Sequence, residues 1–151
     1  MSAFAKGTTV TVAKSRAEIE HMLSRYGVSK FQSGWQEEHA AVLFEKNHRR
    51  IRFTLHLPTE AEFAKTSTRS RPAAAMKAAC EAEHRRLWRA LALVIKAKLE
   101  SVESGIESFE NAFLASIIVP GDNKTIGEWA APRIAAAYER GANMPPMLGA
   151  G

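Results

Sequence analysis

The sequence contains a single cysteine, Cys80, among 151 residues. One cysteine cannot form a disulfide within the chain, which excludes a small secreted domain held together by disulfides. No apolar run approaches the about 18 residues that a membrane-spanning helix needs, and residues 1–11 lack the apolar stretch of a secretory signal. These absences predict a cytoplasmic protein without membrane contacts.

The sequence also lacks the short motifs that carry much of enzyme and cofactor chemistry. It has no phosphate-binding loop, no G-x-S-x-G, no H-E-x-x-H and no C-x-x-C. Cys80 and His84 lie one helical turn apart, but the cysteine belongs to an apolar stripe, where a thiol is usually inert. His39, His48 and His56 follow no zinc-binding spacing. The sequence therefore predicts a protein that is not an enzyme and holds no metal or cofactor.

The hydrophobic fraction of 46% is sufficient for one buried core in a chain of 151 residues. No internal repeat and no linker divides the chain. We therefore predict a single domain over residues 1–151, with a loose arm over 1–13 and a flexible tail over 142–151.

The spacing of apolar residues changes along the chain, and the changes predict an α+β fold. Residues 31–58 contain three runs separated by turn-like residues, and the first and third runs alternate between apolar and polar, which predicts a three-stranded antiparallel meander. Helical spacing predicts a first helix over 15–27, a long helix over 72–103 packed against the sheet, and two C-terminal helices over 108–116 and 125–141.

Capping boxes mark the predicted starts of the first and last helices. Ser15 with Glu18, and Thr125 with Glu128, each combine a hydroxyl with a carboxylate three residues later. The last helix is expected to have an apolar face with three large side chains, those of Trp129, Ile134 and Tyr138.

Positive charge is concentrated in the first two thirds of the chain. The net charge is +5, but residues 1–99 contain 18 Lys and Arg against 9 Asp and Glu, whereas residues 100–151 contain 3 against 7. Such an asymmetry is typical of proteins that bind a polyanion, nucleic acid above all. The alternative is a soluble protein that happens to be basic.

The third predicted strand has the pattern of a nucleic-acid-binding surface. Its polar side chains alternate with apolar ones and therefore share one face of the sheet. A basic face with aromatic rings suits single-stranded nucleic acid, because cations contact phosphates while rings stack on bases. The candidate binding residues of the sheet are Trp35, Lys46, Arg49, Arg50, Arg52 and His56. Trp35 and Phe44 are aromatic residues of neighbouring strands, and the alternative is that both belong to the core.

The long helix offers a second candidate surface. At about 100° per residue, Arg71, Arg85, Arg89 and Lys96 fall on one side of the helix. We include Arg85, Arg89 and Lys96 among the candidate nucleic-acid-binding residues. A solvated helix face, in which nearby carboxylates offset the charge, is the alternative.

Five stretches of the sequence resemble small uncharacterised proteins encoded by bacteriophages and prophages. They are KSRAEIE at 14–20, RYG at 25–27, RIRF at 50–53, WRALALVIKAKLE at 88–100 and GEW at 127–129. The resemblance implies expression in a bacterial cytoplasm, and it implies no catalytic or binding residue.

The charge pattern and the resemblance together predict a phage-encoded accessory protein that binds nucleic acid, preferably single-stranded DNA, in replication, recombination or defence evasion. Two alternatives stay open: a module that binds and inhibits a host antiviral protein, and a small virion or assembly component. The sequence leaves the oligomeric state open, and a homo-oligomer is compatible with it.

Overall fold

The structure is a computed structural model that describes residues 5–64 and 69–141. It confirms the α+β fold: a three-stranded antiparallel sheet, a long helix, an N-terminal helix and C-terminal helices. The elements are α1 (Val12–Arg25), β1 (Lys30–Gln36), β2 (His39–Lys46), β3 (Arg49–His56), a 3-10 turn (Glu60–Phe63), α2 (Ala73–Glu103), α3 (Phe109–Ala112), a second 3-10 turn (Leu114–Ser116) and α4 (Ile126–Glu139). The predicted tail and residues 1–4 of the predicted arm lie outside the described residues.

The three strands form a meander in the order β1-β2-β3, and both neighbouring pairs are antiparallel. The turn between β2 and β3 has left-handed backbone at both of its residues, with φ of 52° at Asn47 and 60° at His48. Turns of this kind match the twist of a hairpin, and asparagine tolerates positive φ better than most residues. The turn sets the pairing of β2 with β3, in which Phe44 lies opposite Ile51.

The core lies between one face of the sheet and the helices α1 and α2. α2 contains 31 residues, roughly 46 Å of helix, and its inward side chains recur every three or four positions. Phe113, which follows α3, is completely buried and packs edge-on against Phe44 at 5.7 Å between ring centroids. The buried side chains of α2 are Cys80, Trp88, Leu91, Ala92, Ile95 and Leu99.

The first helix begins earlier than the capping box predicts. Thr11 is the N-cap, and its side chain accepts a hydrogen bond from the Lys14 backbone N–H at 3.1 Å. Ser15 lies inside the helix, fully buried, and its hydroxyl has no hydrogen-bond partner among the described residues. The prediction was wrong because Thr11 offers the same capping chemistry four residues earlier, and starting there lets Val12 pack against the core.

The last helix lacks the buried apolar face that the sequence suggested. The N-cap prediction is confirmed, since Thr125 accepts from the Glu128 backbone N–H at 3.2 Å. However, α4 buries no residue, and Trp129, Ile134 and Tyr138 are 45%, 48% and 72% exposed. At about 100° per residue, Trp129 and Tyr138 point in opposite directions, so the three side chains do not form a stripe.

Candidate nucleic-acid interface

The strand register separates the predicted binding residues onto two faces of the sheet. Residues directly opposite one another in neighbouring strands share a face, and successive residues of a strand alternate. Trp35 lies opposite Ala40, which lies opposite Leu55, so the tryptophan belongs to the side that faces the helices. Arg50 and Arg52 belong to the other side, which we call the open face. The expected combination of Trp35 with these arginines therefore does not form.

Arg52 is engaged by the C-terminal region of the chain. Its guanidinium donates to Glu128 Oε1 at 3.0 Å and to the Asn123 backbone oxygen at 2.9 Å. The Arg52 side chain is only 15% exposed, so its charge is largely offset by the carboxylate. A polyanion would have to displace this pair in order to contact Arg52.

The remaining charge on the open face is small. Lys30 pairs with Glu45 at 3.7 Å, and Glu45 lies opposite Arg50 in the strand register. Arg50 is exposed and has no carboxylate within 4.0 Å among the described residues. His56 packs edge-to-face against His39, with 5.2 Å between ring centroids. Within residues 5–64 and 69–141, the open face thus has one arginine without an ion pair and two histidines rather than a row of free cations.

Lys46 and Arg49 lie opposite one another at the turn end of the sheet, on the side that faces the helices. Lys46 Nζ donates to the Tyr26 backbone oxygen and lies 6.0 Å from the centre of the Phe109 ring. Arg49 makes a long contact of 3.5 Å with Glu110, and both side chains are substantially exposed. Lys46 therefore connects the sheet to the end of α1, whereas the exposed pair of Arg49 with Glu110 contributes little.

The three predicted residues of α2 have different environments. Arg89 forms an ion pair with Glu18 of α1. Lys96 is exposed and lines a groove together with Lys46 and Arg25, but Glu100 and Glu103 line the same groove. Arg85 lines a different groove, in which cations outnumber carboxylates.

A groove of about 430 Å³ separates residues 6–9 of the N-terminal arm from α2 and contains Arg85. Among the described residues, four cations and one carboxylate line it. Arg86 is held by that carboxylate, Glu83, through contacts of 2.6 to 3.0 Å. The other three cations form no ion pair among the described residues. The polar and aromatic residues that line this basic groove are Lys6, Thr8, Thr9, Phe63, Arg71, Glu83, Arg85 and Arg86.

Of the four cations in this groove, Arg85 is the one that the sequence indicates as a candidate binding residue. The helical period placed Arg71 and Arg85 on one side of the long helix, and both side chains line the groove. It missed Lys6 and Arg86. Lys6 is 79 positions before Arg85 in the sequence, and Arg86 points about 100° away from Arg85 on an ideal helix. Only the path of the N-terminal arm across α2 brings them together.

The Cys80–His84 pair has the geometry of a structural contact. Cys80 Sγ donates to the Pro58 carbonyl oxygen at 3.3 Å, and His84 Nε2 donates to the same oxygen at 2.9 Å. Because His84 Nε2 carries its proton, it cannot accept one from the thiol. Burial raises the pKa of the Cys80 thiol, and nearby carboxylates raise it further. A neutral thiol of this kind is a poor nucleophile.

Within residues 5–64 and 69–141, three or more His, Cys, Asp or Glu side chains nowhere gather in a way that would hold a metal ion. No helix in this part of the chain has both the length and the apolar character needed to cross a membrane. Comparison with known proteins found no matching family model, no matching curated protein and no matching solved structure.

Proposed function

We propose that the protein binds nucleic acid, and that the basic groove between the N-terminal arm and α2 is the main contact. The observation that carries the proposal is the imbalance of charge in this groove, which four cations and a single carboxylate of the described segments line. Unpaired cations from separate segments suit a phosphate backbone, since each contact releases condensed counterions.

Single strands fit this groove better than duplex. Phe63 lines it and is half-buried, so one part of its ring is accessible to a base. Stacking of a base on an aromatic ring contributes about 1–3 kcal/mol and requires bases that are not already paired. The hydroxyls of Thr8 and Thr9 add donors for phosphate or sugar oxygens.

The biological setting we propose is that of the sequence resemblance. A small phage-encoded accessory protein that binds single-stranded DNA would act in replication, recombination or defence evasion within the bacterial cytoplasm. The predicted open-face residues, above all Arg50, would then contribute secondary contacts.

Fluorescence anisotropy with a labelled oligonucleotide tests the groove directly. Arg85→Ala should weaken binding and lower the slope of log K against log salt by about 0.7, the value for one lost contact with a single strand. Arg50→Ala removes the same charge from the open face and serves as the matched control, with a smaller effect on affinity. A larger loss for Arg50→Ala would move the site to the sheet. The absence of binding at low salt would remove the proposal.

A protein-binding function is the second candidate, and one observation favours it. α4 exposes Trp129, Ile134 and Tyr138 and buries no residue, so it offers apolar contact area near the acidic end of the chain. Exposed aromatic and aliphatic side chains are enriched at protein interfaces. Capture of one defined protein from nuclease-treated host lysate, lost in Trp129→Ala and retained in Arg85→Ala, would support this function instead.

A further inference from the structure

β1 is an edge strand whose outer side is unpaired in the described part of the chain. The sheet has the order β1-β2-β3, so β1 pairs only with β2. The outer side of β3 differs, since Ile118 N–H donates to the Arg50 carbonyl oxygen at 2.8 Å and Ile117 bridges Ile51. The two edges of the sheet are therefore not equivalent: a C-terminal segment covers part of one, and none of the described segments pairs with the other.

The bond at Arg50 shows which backbone groups of β1 point outward. The Arg50 carbonyl points away from β2, so the groups of its neighbour Ile51 point toward β2, and the direction alternates along each strand. Ile51 lies opposite Phe44, so the N–H and C=O groups of Phe44 point toward β3. Those of Glu45, the next residue of β2, therefore point toward β1. Carried across the β1–β2 register, this alternation leaves three residues of β1 with outward N–H and C=O groups: Phe31, Ser33 and Trp35.

β1 lacks the devices that usually protect an edge strand. It contains no proline, and its only charged residue is Lys30, at its first position. Natural edge strands avoid pairing through lysines, prolines, bulges or short length, whereas β1 has seven residues in regular pairing with β2. Trp35 at this edge is 71% exposed, which is a large apolar surface beside unpaired backbone groups.

The sequence of β1 is complementary to itself in one antiparallel register. If a two-fold axis passes through Ser33, all three outward residues pair: Phe31 with Trp35 of the second copy, Ser33 with Ser33, and Trp35 with Phe31. Each such pair exchanges two backbone hydrogen bonds. The register also places two aromatic pairs directly across the new junction, a favourable arrangement in sheets. Lys30 would lie opposite Gln36, so no like charges meet within the strands.

We propose that β1 pairs with β1 of a second copy of this chain, forming a dimer with a continuous six-stranded sheet. A groove of about 740 Å³ already runs along this strand and is lined by Phe31, Ser33, Trp35 and, from α1, Glu20. Arg16 donates to Ser33 Oγ at 2.8 Å, and its guanidinium lies 5.6 Å from the centre of the Trp35 ring. The junction thus has a hydroxyl on the axis, an aromatic pair on each side of it and charges of both signs at its rim. This proposal is independent of the nucleic-acid function.

Light scattering coupled to size exclusion tests the dimer. The wild-type chain should have twice the mass of one chain and dissociate on dilution, whereas Ser33→Pro should be monomeric. The Ser33 N–H points outward, so proline removes no hydrogen bond within the β1–β2 ladder. Thr54→Pro is the matched control, because Thr54 has an outward N–H on the opposite edge of the sheet and its replacement should leave the dimer intact. Circular dichroism confirms that both variants are folded.

A charge-swap experiment identifies the register. Ser33→Lys places two lysines against each other at the axis, beside Arg16 from both copies, and should abolish the dimer. Mixing Ser33→Lys with an equal amount of Ser33→Asp should restore a dimer that contains one chain of each kind. This rescue is expected where residue 33 lies opposite residue 33 of the second copy, because the lysine then faces the aspartate. A single-chain mass for the wild type at every concentration would overturn the proposal. So would a dimer that survives Ser33→Pro or dissociates only in Thr54→Pro.

Discussion

α2 and α4 differ in a way that their composition does not suggest. Residue for residue α4 is the more apolar helix, yet it buries none of its 14 residues, whereas α2 buries six. In α2 the large apolar residues from Trp88 onward recur every three or four positions and form one stripe in the core that α2 shares with the sheet and α1. In α4 they are spread around the helix, so no single surface can cover them. Spacing rather than apolar content decides which helix belongs to the core.

The largest expected effect is the difference between equivalent truncations in the two helices. Ile95 of α2 is fully buried, and Ile95→Ala should lower the free energy of unfolding by about 2–5 kcal/mol. Ile134 of α4 is 48% exposed, and Ile134→Ala should change it by less than about 0.5 kcal/mol. Urea denaturation followed by circular dichroism measures both values. A similar loss in the two variants would mean that α4 is packed against a surface outside the single chain.

A smaller effect concerns the helix caps. Thr125→Ala removes the N-cap of α4 and should lower the free energy of local opening of this helix by about 1 kcal/mol. Global unfolding should be unaffected, because nothing in α4 is buried. Amide hydrogen exchange should then accelerate about fivefold in α4 alone. Thr11→Ala is the matched variant in α1, a helix that buries Ile19 and Leu23. This variant should lower the free energy of global unfolding by about 1 kcal/mol. Global destabilisation by Thr125→Ala would contradict the comparison.

The smallest effect concerns two ion pairs, one between α4 and the sheet and one between α2 and α1. Arg52 and Glu128 connect the sheet to α4, and the Glu128 side chain is 51% exposed. A double-mutant cycle on this pair should give a coupling energy of about 0.2–1 kcal/mol that falls as salt increases. The pair between Arg89 and Glu18 is less exposed, with side chains 20% and 33% accessible, so its coupling should depend less on salt. Equal salt dependence would count against this difference in shielding.

Much of the fold could be predicted from the sequence because its signals are local. The alternation between Phe31 and Leu57 located the meander, and the helical period located α2 to within one residue at its start. The start of α1 could not be decided in this way, since Thr11 and Ser15 are both good caps. Packing of Val12 against the core favours the earlier one.

The candidate site was harder to predict because it depends on contacts that are distant in sequence. Arg52 has the alternation of an exposed residue, but Glu128, 76 residues later, covers its charge. The sequence left the face of Trp35 open, because that face depends on the register of β1 with β2 across the turn at Glu37, where φ is 50°. Lys6 gave no signal of its own, and its place in the basic groove depends on the path of the arm.

The shielding of Cys80 has a practical consequence for every solution experiment on this protein. Its sulfur is bonded to the Pro58 carbonyl inside the fold, and its raised pKa keeps it protonated near neutral pH. A maleimide dye would therefore attach selectively to a cysteine introduced on the surface, with no need to replace the native one first. Distances between dyes at chosen positions can thus be measured in a chain that keeps Cys80.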